Sequence, residues 1–65
     1  MSNLKRIRED QKISQSKLSE ISGVNLPMIQ KYEQGVKDIN KSQAITLHKI
    51  AQALKCNIED LLEEV

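Results

Sequence analysis

The sequence predicts an all-α domain of five short helices. Apolar residues recur at helical spacing, and no segment alternates apolar and polar residues long enough to build a sheet. The same helix-opening device also appears three times. In it an apolar residue precedes a polar cap, and a second apolar residue follows five positions after the first. This is the hydrophobic staple, which fixes the angle at which the chain enters a helix. It reads Ile13-Ser14 with Leu18, Val24-Asn25 with Ile29, and Cys56-Asn57 with Leu61.

Taken in order, Ser2 caps a first helix over roughly Asn3 to Gln11, with Leu4, Ile7 and Gln11 on one face. Ser14 opens the second helix and Asn25 the third, each side chain placed to accept from an orphan amide of the first turn. Gly23 and Gly35 follow these two helices, where a left-handed residue commonly ends a helix. Pro27 lacks an N–H that is unpaired so early in a helix anyway. It also disfavours helical geometry for Leu26, so the third helix is expected to start at Pro27.

Val36 to Ile39 reads as a loop. Asn40 then caps a fourth helix, with Gln43 as the reciprocal half of a capping box and an apolar stripe at Ala44, Leu47, Ile50, Ala51 and Leu54. Lys55 stands where a glycine usually ends such a helix, at about 1 kcal/mol of left-handed strain. A fifth helix runs from Ile58 to about Glu64, its acidic Glu59 and Asp60 suiting the positive end of the helix dipole. The expected core is Leu4, Ile7, Ile13, Leu18, Ile21, Val24, Ile29, Tyr32, Ile39, Leu47, Ile50, Leu54, Ile58, Leu61 and Leu62.

At 65 residues the chain makes one small domain, which on folding hides only about 60% of its extended surface. The single cysteine, Cys56, cannot form an internal disulfide and sits at an apolar staple position, so packing is its expected role. No secretory or membrane segment is evident, and a reducing cytoplasm is the natural location. Net charge is only +1, but residues 1–41 carry eight Lys/Arg against five Asp/Glu, and residues 42–65 carry two against four. A chain polarised in this way can present one face to phosphates. His48 has no Cys or His at metal spacing and reads as a helix-surface residue; no metal or cofactor is expected. No nucleophile with base and oxyanion donors appears, nor a Gly-rich phosphate loop, so no enzyme is expected.

Residues Ile13 to Gly35, ISQSKLSEISGVNLPMIQKYEQG, are two helices joined by a tight turn at Ser22-Gly23-Val24. That is a helix-turn-helix, whose second helix can enter a DNA major groove. The stretch resembles the core of the phage-repressor and Cro-like (XRE-type) DNA-binding family. The matching residues are Ser14-Gln15, Leu18, Ile21-Ser22-Gly23-Val24, Ile29 and Tyr32-Glu33-Gln34-Gly35. Leu4, Ile7 and Arg8 before the motif fit too, as do Ala53-Leu54 and Asp60-Leu61-Leu62 after it. The resemblance implies a five-helix lambda-repressor-like domain over residues 1–65, with the helix-turn-helix, about 14–34, formed by helices 2 and 3.

The resemblance also implies roles for residues. Leu26, Pro27, Gln30 and Lys31 would face base edges, although Leu26-Pro27-Met28 departs from the polar or basic residues usual there. Gln30 could bond adenine twice and Lys31 could reach guanine. The competing reading is a helix packed for stability that has lost sequence reading. Gln15 matches a glutamine that lies against the DNA backbone; Gln34, Lys37, Asn40 and Lys41 are the other candidate phosphate contacts. Arg8 and Glu33 match an arginine and a glutamate that pair in several members, the competing reading being two independent surface charges. The expected function is a sequence-specific transcriptional regulator, of the repressor kind, binding double-stranded DNA as a homodimer on a two-half-site operator. The alternative is an antitoxin-like or decoy protein-interaction module, for which Ile45, off the apolar stripe, and the acidic Glu59-to-Glu64 helix are the motive. No small-molecule ligand or membrane partner is implied.

Overall fold

In the computed structural model, which describes residues 2–63, each helix but one starts at the cap that the sequence marks. Helix α1 spans Asn3–Asp10, α2 Gln15–Ser22, α3 Leu26–Gln34, α4 Ala44–Leu54 and α5 Ile58–Leu61, with a 3-10 turn at Ile39–Lys41. Ser2 Oγ accepts from the Lys5 N–H at 3.1 Å, Ser14 Oγ from Lys17 at 3.0 Å, and Asn25 Oδ1 from Met28 at 2.9 Å. Gly23 and Gly35 adopt φ of 76° and 79°, ending α2 and α3 in the left-handed region.

The exception is α4. Asn40 does not cap it; Gln43 holds that position without a side-chain bond, and Asn40 lies inside the 3-10 turn capped by Asp38. The Asn40 amide instead bonds the backbone of Glu63, donating to its carbonyl at 2.7 Å and accepting from its N–H at 2.8 Å. The same bonds shorten α5. Expected to about Glu64, which lies outside the described residues, the helix stops at Leu61, and Leu62 turns to an extended conformation. The Leu62 carbonyl accepts from Asn3 Nδ2 at 2.8 Å, and the Glu63 carboxylate accepts the Asn3 backbone N–H at 2.6 Å. Residues 62–63 thus satisfy the start of α1 instead of extending α5.

Helix α3 begins at Leu26, not Pro27, with the proline in its second position. The Asn25 cap and the buried Val24 and Ile29 of the staple fix the entry there, overriding the mild pre-proline bias at Leu26.

The core takes at least one fully buried residue from every helix: Leu4, Leu18, Ile29, Ile50 with Leu54, and Leu61. Around them lie Val24, Tyr32, Ile39, Leu47 and Ala51, with Ile7, Ile13, Met28, Ala53, Cys56, Ile58 and Leu62 partly buried against the cluster. Ile21 does not belong to it, being 45% exposed. The buried face of α2 follows the i, i+4 step from Leu18 to Ser22, which leaves Ile21, one residue earlier, on the flank. Helix α2 packs on both α3 and α4, while α1 packs on α3 and α5.

At the end of α4, Lys55 adopts φ 56°, and the Cys56 N–H closes the helix on the Ala51 carbonyl at 3.0 Å. Gln11 Nε2 reaches across from the end of α1 to satisfy the Leu54 carbonyl at 2.5 Å. A lysine at Lys55 carries the left-handed strain that a glycine there would not. Lys55→Gly should therefore raise stability by about 0.5–1 kcal/mol, read as an upward shift of a few degrees in a thermal melt. A lowered melting temperature would show that the lysine side chain contributes more than its backbone costs.

Candidate nucleic-acid interface

The turn between α2 and α3 is held from both sides by serines of α2. Ser22 Oγ accepts from the Val24 N–H at 3.1 Å, and Ser19 Oγ donates to the Val24 carbonyl at 2.7 Å. Both backbone groups of Val24 are thereby satisfied, and its apolar side chain is free to be buried. Nothing in the hydrophobic pattern marked either serine. Their signal is a short hydroxyl spaced to reach a turn residue.

Behind the turn, Arg8 and Glu33 form a two-point ion pair: Nε to Oε2 at 2.7 Å and Nη2 to Oε1 at 2.9 Å. The two side chains are only 10% and 3% exposed, so these are not independent surface charges. Arg8 Nη1 also donates to the Ile13 carbonyl at 2.7 Å, immediately before the Ser14 cap. Gln15 Nε2 donates to Glu33 Oε1 at 3.0 Å. One arginine and one glutamate therefore bind the end of α1, the start of α2 and the end of α3. Gln15, expected to be a free phosphate contact, spends one amide hydrogen on Glu33 and keeps a second donor.

The outward side of α3 starts at half-buried Leu26 and exposed Pro27, continues through half-buried Gln30 and exposed Lys31, and ends at exposed Gln34. Pro27 and Lys31 border a shallow cleft with Asn25, Met28 and Lys37. Met28 and Lys37 also border the adjoining cleft, whose far wall is Lys41, Ser42, Gln43 and Thr46. Lys31, Lys37 and Lys41 thus share one continuous edge beside α3. The two ion pairs among the described residues, Arg8–Glu33 and Lys17–Glu20, leave these three lysines unpaired. The loop carrying Lys37 and Lys41 is anchored by buried Ile39 and by a hydrogen bond from Ser42 Oγ to the Tyr32 hydroxyl. Asn40 differs from the other predicted phosphate contacts in that Glu63 engages both its amide nitrogen and its amide oxygen, leaving one N–H, as at Gln15.

Among the described residues no three His, Cys, Asp or Glu side chains group to hold a metal, and none of the helices is long and apolar enough to cross a membrane. His48 is exposed on α4. Cys56 packs against the core, where burial and the nearby Asp60 charge push its thiol pKa up, away from the reactive thiolate.

Five α-helices and no strand among the described residues, with α2 and α3 joined by a tight capped turn and a lysine-flanked face on α3, define a helix-turn-helix DNA-binding domain. The chain matches the Cro/C1-type HTH DNA-binding domain over residues 3–65 and belongs to that family, one of DNA-binding domains and not of enzymes. No curated protein matches it.

Two outcomes follow from the Arg8–Glu33 geometry. Removing either partner strands a buried charge, so Arg8→Ala and Glu33→Ala should each cost several kcal/mol, about 3–5 at the upper end. The double variant should lose much less than the sum in thermal melts; additive, small losses would show that the pair is uncoupled. The pH dependence has a definite sign. Burial alone would raise the Glu33 carboxyl, but hydrogen bonds from Arg8 and Gln15, with the charges of Arg8 and Lys5, outweigh it and hold the pKa below the usual carboxylate range. Its stabilising contribution is therefore complete above the unfolded value of about 4.3 and is lost as pH falls through the lower folded value. The stability gap between the wild type and Glu33→Gln should be constant near neutrality and close on acidification. A gap independent of pH would contradict the depressed pKa.

Proposed function

We propose that the domain is a sequence-specific transcriptional regulator, of the repressor kind, that reads DNA by placing α3 in the major groove. The observation that carries this reading is the exposed N-terminal side of α3, with Pro27 and Lys31 outward and Lys31, Lys37 and Lys41 unpaired along its edge. Gln30 and Lys31 supply hydrogen-bonded discrimination, an amide for adenine and an ammonium for guanine. Leu26 and Pro27 offer no side-chain donor or acceptor, and their natural partner is the thymine methyl. Gln15, Gln34, Lys37 and Lys41 lie against phosphates and set the register.

The domain binds as a homodimer, at least on DNA. Its longest extent is 27 Å, shorter than the roughly 34–36 Å between half-sites one helical turn apart. One copy therefore fits one half-site, and an operator with two related half-sites needs two. A second reading, a protein-interaction module on the same fold, is favoured by the exposure of Ile45 and Ile21 at 56% and 45%. Steep salt dependence of duplex binding separates the two, because only phosphate neutralisation releases condensed counterions.

The contact of Leu26 and Pro27 can be tested by one atom group. After selection of a preferred duplex from a random pool, uracil replaces thymine at each A·T pair in turn, removing the methyl and keeping the base pair. Affinity should fall at one or two positions per half-site. Unchanged affinity at all of them would leave Gln30 and Lys31 as the only base readers.

A further inference from the structure

The lysine-bearing loop is tied to the far end of the chain. Asn40 sits between Lys37 and Lys41, in a turn whose residue Ile39 is buried and whose cap is Asp38. Its side-chain amide, on an exposed residue, grips Glu63, 23 residues on, through both the carbonyl and the N–H. Glu63 in turn holds α1, its carboxylate accepting from the Asn3 N–H, while the Leu62 carbonyl accepts from Asn3 Nδ2. Residues 62–63 therefore form a strap between the first turn of α1 and the 3-10 turn. A two-point amide-to-backbone bond fixes orientation as well as distance. A fixed orientation of this turn sets where Lys41 emerges beside α3.

We propose that Asn40 is a positioning residue for DNA binding: gripped by Glu63, it holds the 3-10 turn so that Lys41 meets a phosphate, and it does not touch DNA itself. The inference rests on the DNA reading above. It reassigns an amide that would otherwise count among the phosphate donors, and it gives the strap a role in recognition. Without the Asn40–Glu63 grip the turn keeps its Asp38 cap, its buried Ile39 and the Ser42–Tyr32 bond. The loss is therefore local and does not unfold the domain.

The experiment uses the full chain with Asn40→Ala, Lys41→Ala and the double variant. Each is titrated against the selected duplex and an unrelated duplex at several salt concentrations, with amide hydrogen exchange measured on the free proteins. Asn40→Ala should weaken both duplexes by a similar factor, roughly two- to tenfold. It should also flatten the salt slope by about one unit, the signature of a lost cationic contact and not of a lost neutral amide. In the Lys41→Ala background the same change should leave the slope where it is. Exchange should accelerate over residues 37–42 and not in the core helices. An unchanged slope with weaker binding would make Asn40 a direct neutral contact and overturn the proposal. So would unchanged exchange in the turn, or acceleration spread through α1 to α4. If the wild type bound no duplex with salt dependence, the DNA reading itself would fall and the positioning role with it, whereas normal wild-type binding with an unresponsive Asn40→Ala would overturn the positioning role alone.

Discussion

The bond on which the arrangement of this domain depends is the fork between Arg8 and Glu33. Apolar burial drives a small chain to collapse, but it has no direction, and this core is built almost wholly of Leu, Ile and Val around one tyrosine. Helix α3 is nine residues long, too short to be stable alone. Ile29 and Tyr32 hold it against the core, but a helix so held can still tilt and roll. The two parallel bonds from the Nε/Nη2 edge hold the Glu33 carboxylate in the guanidinium plane. With its third arm on the Ile13 carbonyl and Gln15 on the other side of Glu33, the guanidinium fixes α3 to α1 and α2 together. Replacing a buried ion pair by apolar residues often costs nothing in stability. Its contribution here is geometric: it sets the angle at which α3 leaves the body of the domain.

The acidic residues follow a complementary logic. Glu63 caps α1 and Asp60 accepts the Asn57 N–H at the start of α5. Glu33 is consumed by Arg8 and Gln15. Carboxylates so placed do structural work at helix starts and in the buried network, and leave Lys31, Lys37 and Lys41 unneutralised beside α3. A chain with net charge +1 can in this way present a locally cationic face.

Much of this was legible in the sequence, because helix starts are local events. The staple and cap pairs at Ser14, Asn25 and Asn57 need only five or six residues of context, and each opens a helix in the structure. What was not legible depends on partners far along the chain. Asn40 and Gln43 fit a capping box, yet no local pattern can show that Glu63 competes for the asparagine, or that the same contact ends α5 at Leu61. Ile21 and Ser22 are a choice of helix roll decided by tertiary packing, and the polar residue won because its hydroxyl had a turn amide to bind. Arg8 and Glu33 are 25 residues apart, and their pairing was suggested by resemblance alone. For Gln15, the sequence pointed to the position and not to its bond with Glu33.

The central claim is that the outer side of α3, the start of α2 and the lysine-bearing loop form one surface for DNA. Chemical-shift mapping of the labelled domain against a selected duplex tests this most directly, since every amide reports separately. The largest changes are expected at Gln15, at Leu26, at residues 28–34 and at residues 37–41, with α5 and the exposed side of α4 near Ile45 unmoved. Changes centred on Ile45 and Ile21, with α3 silent, would contradict it.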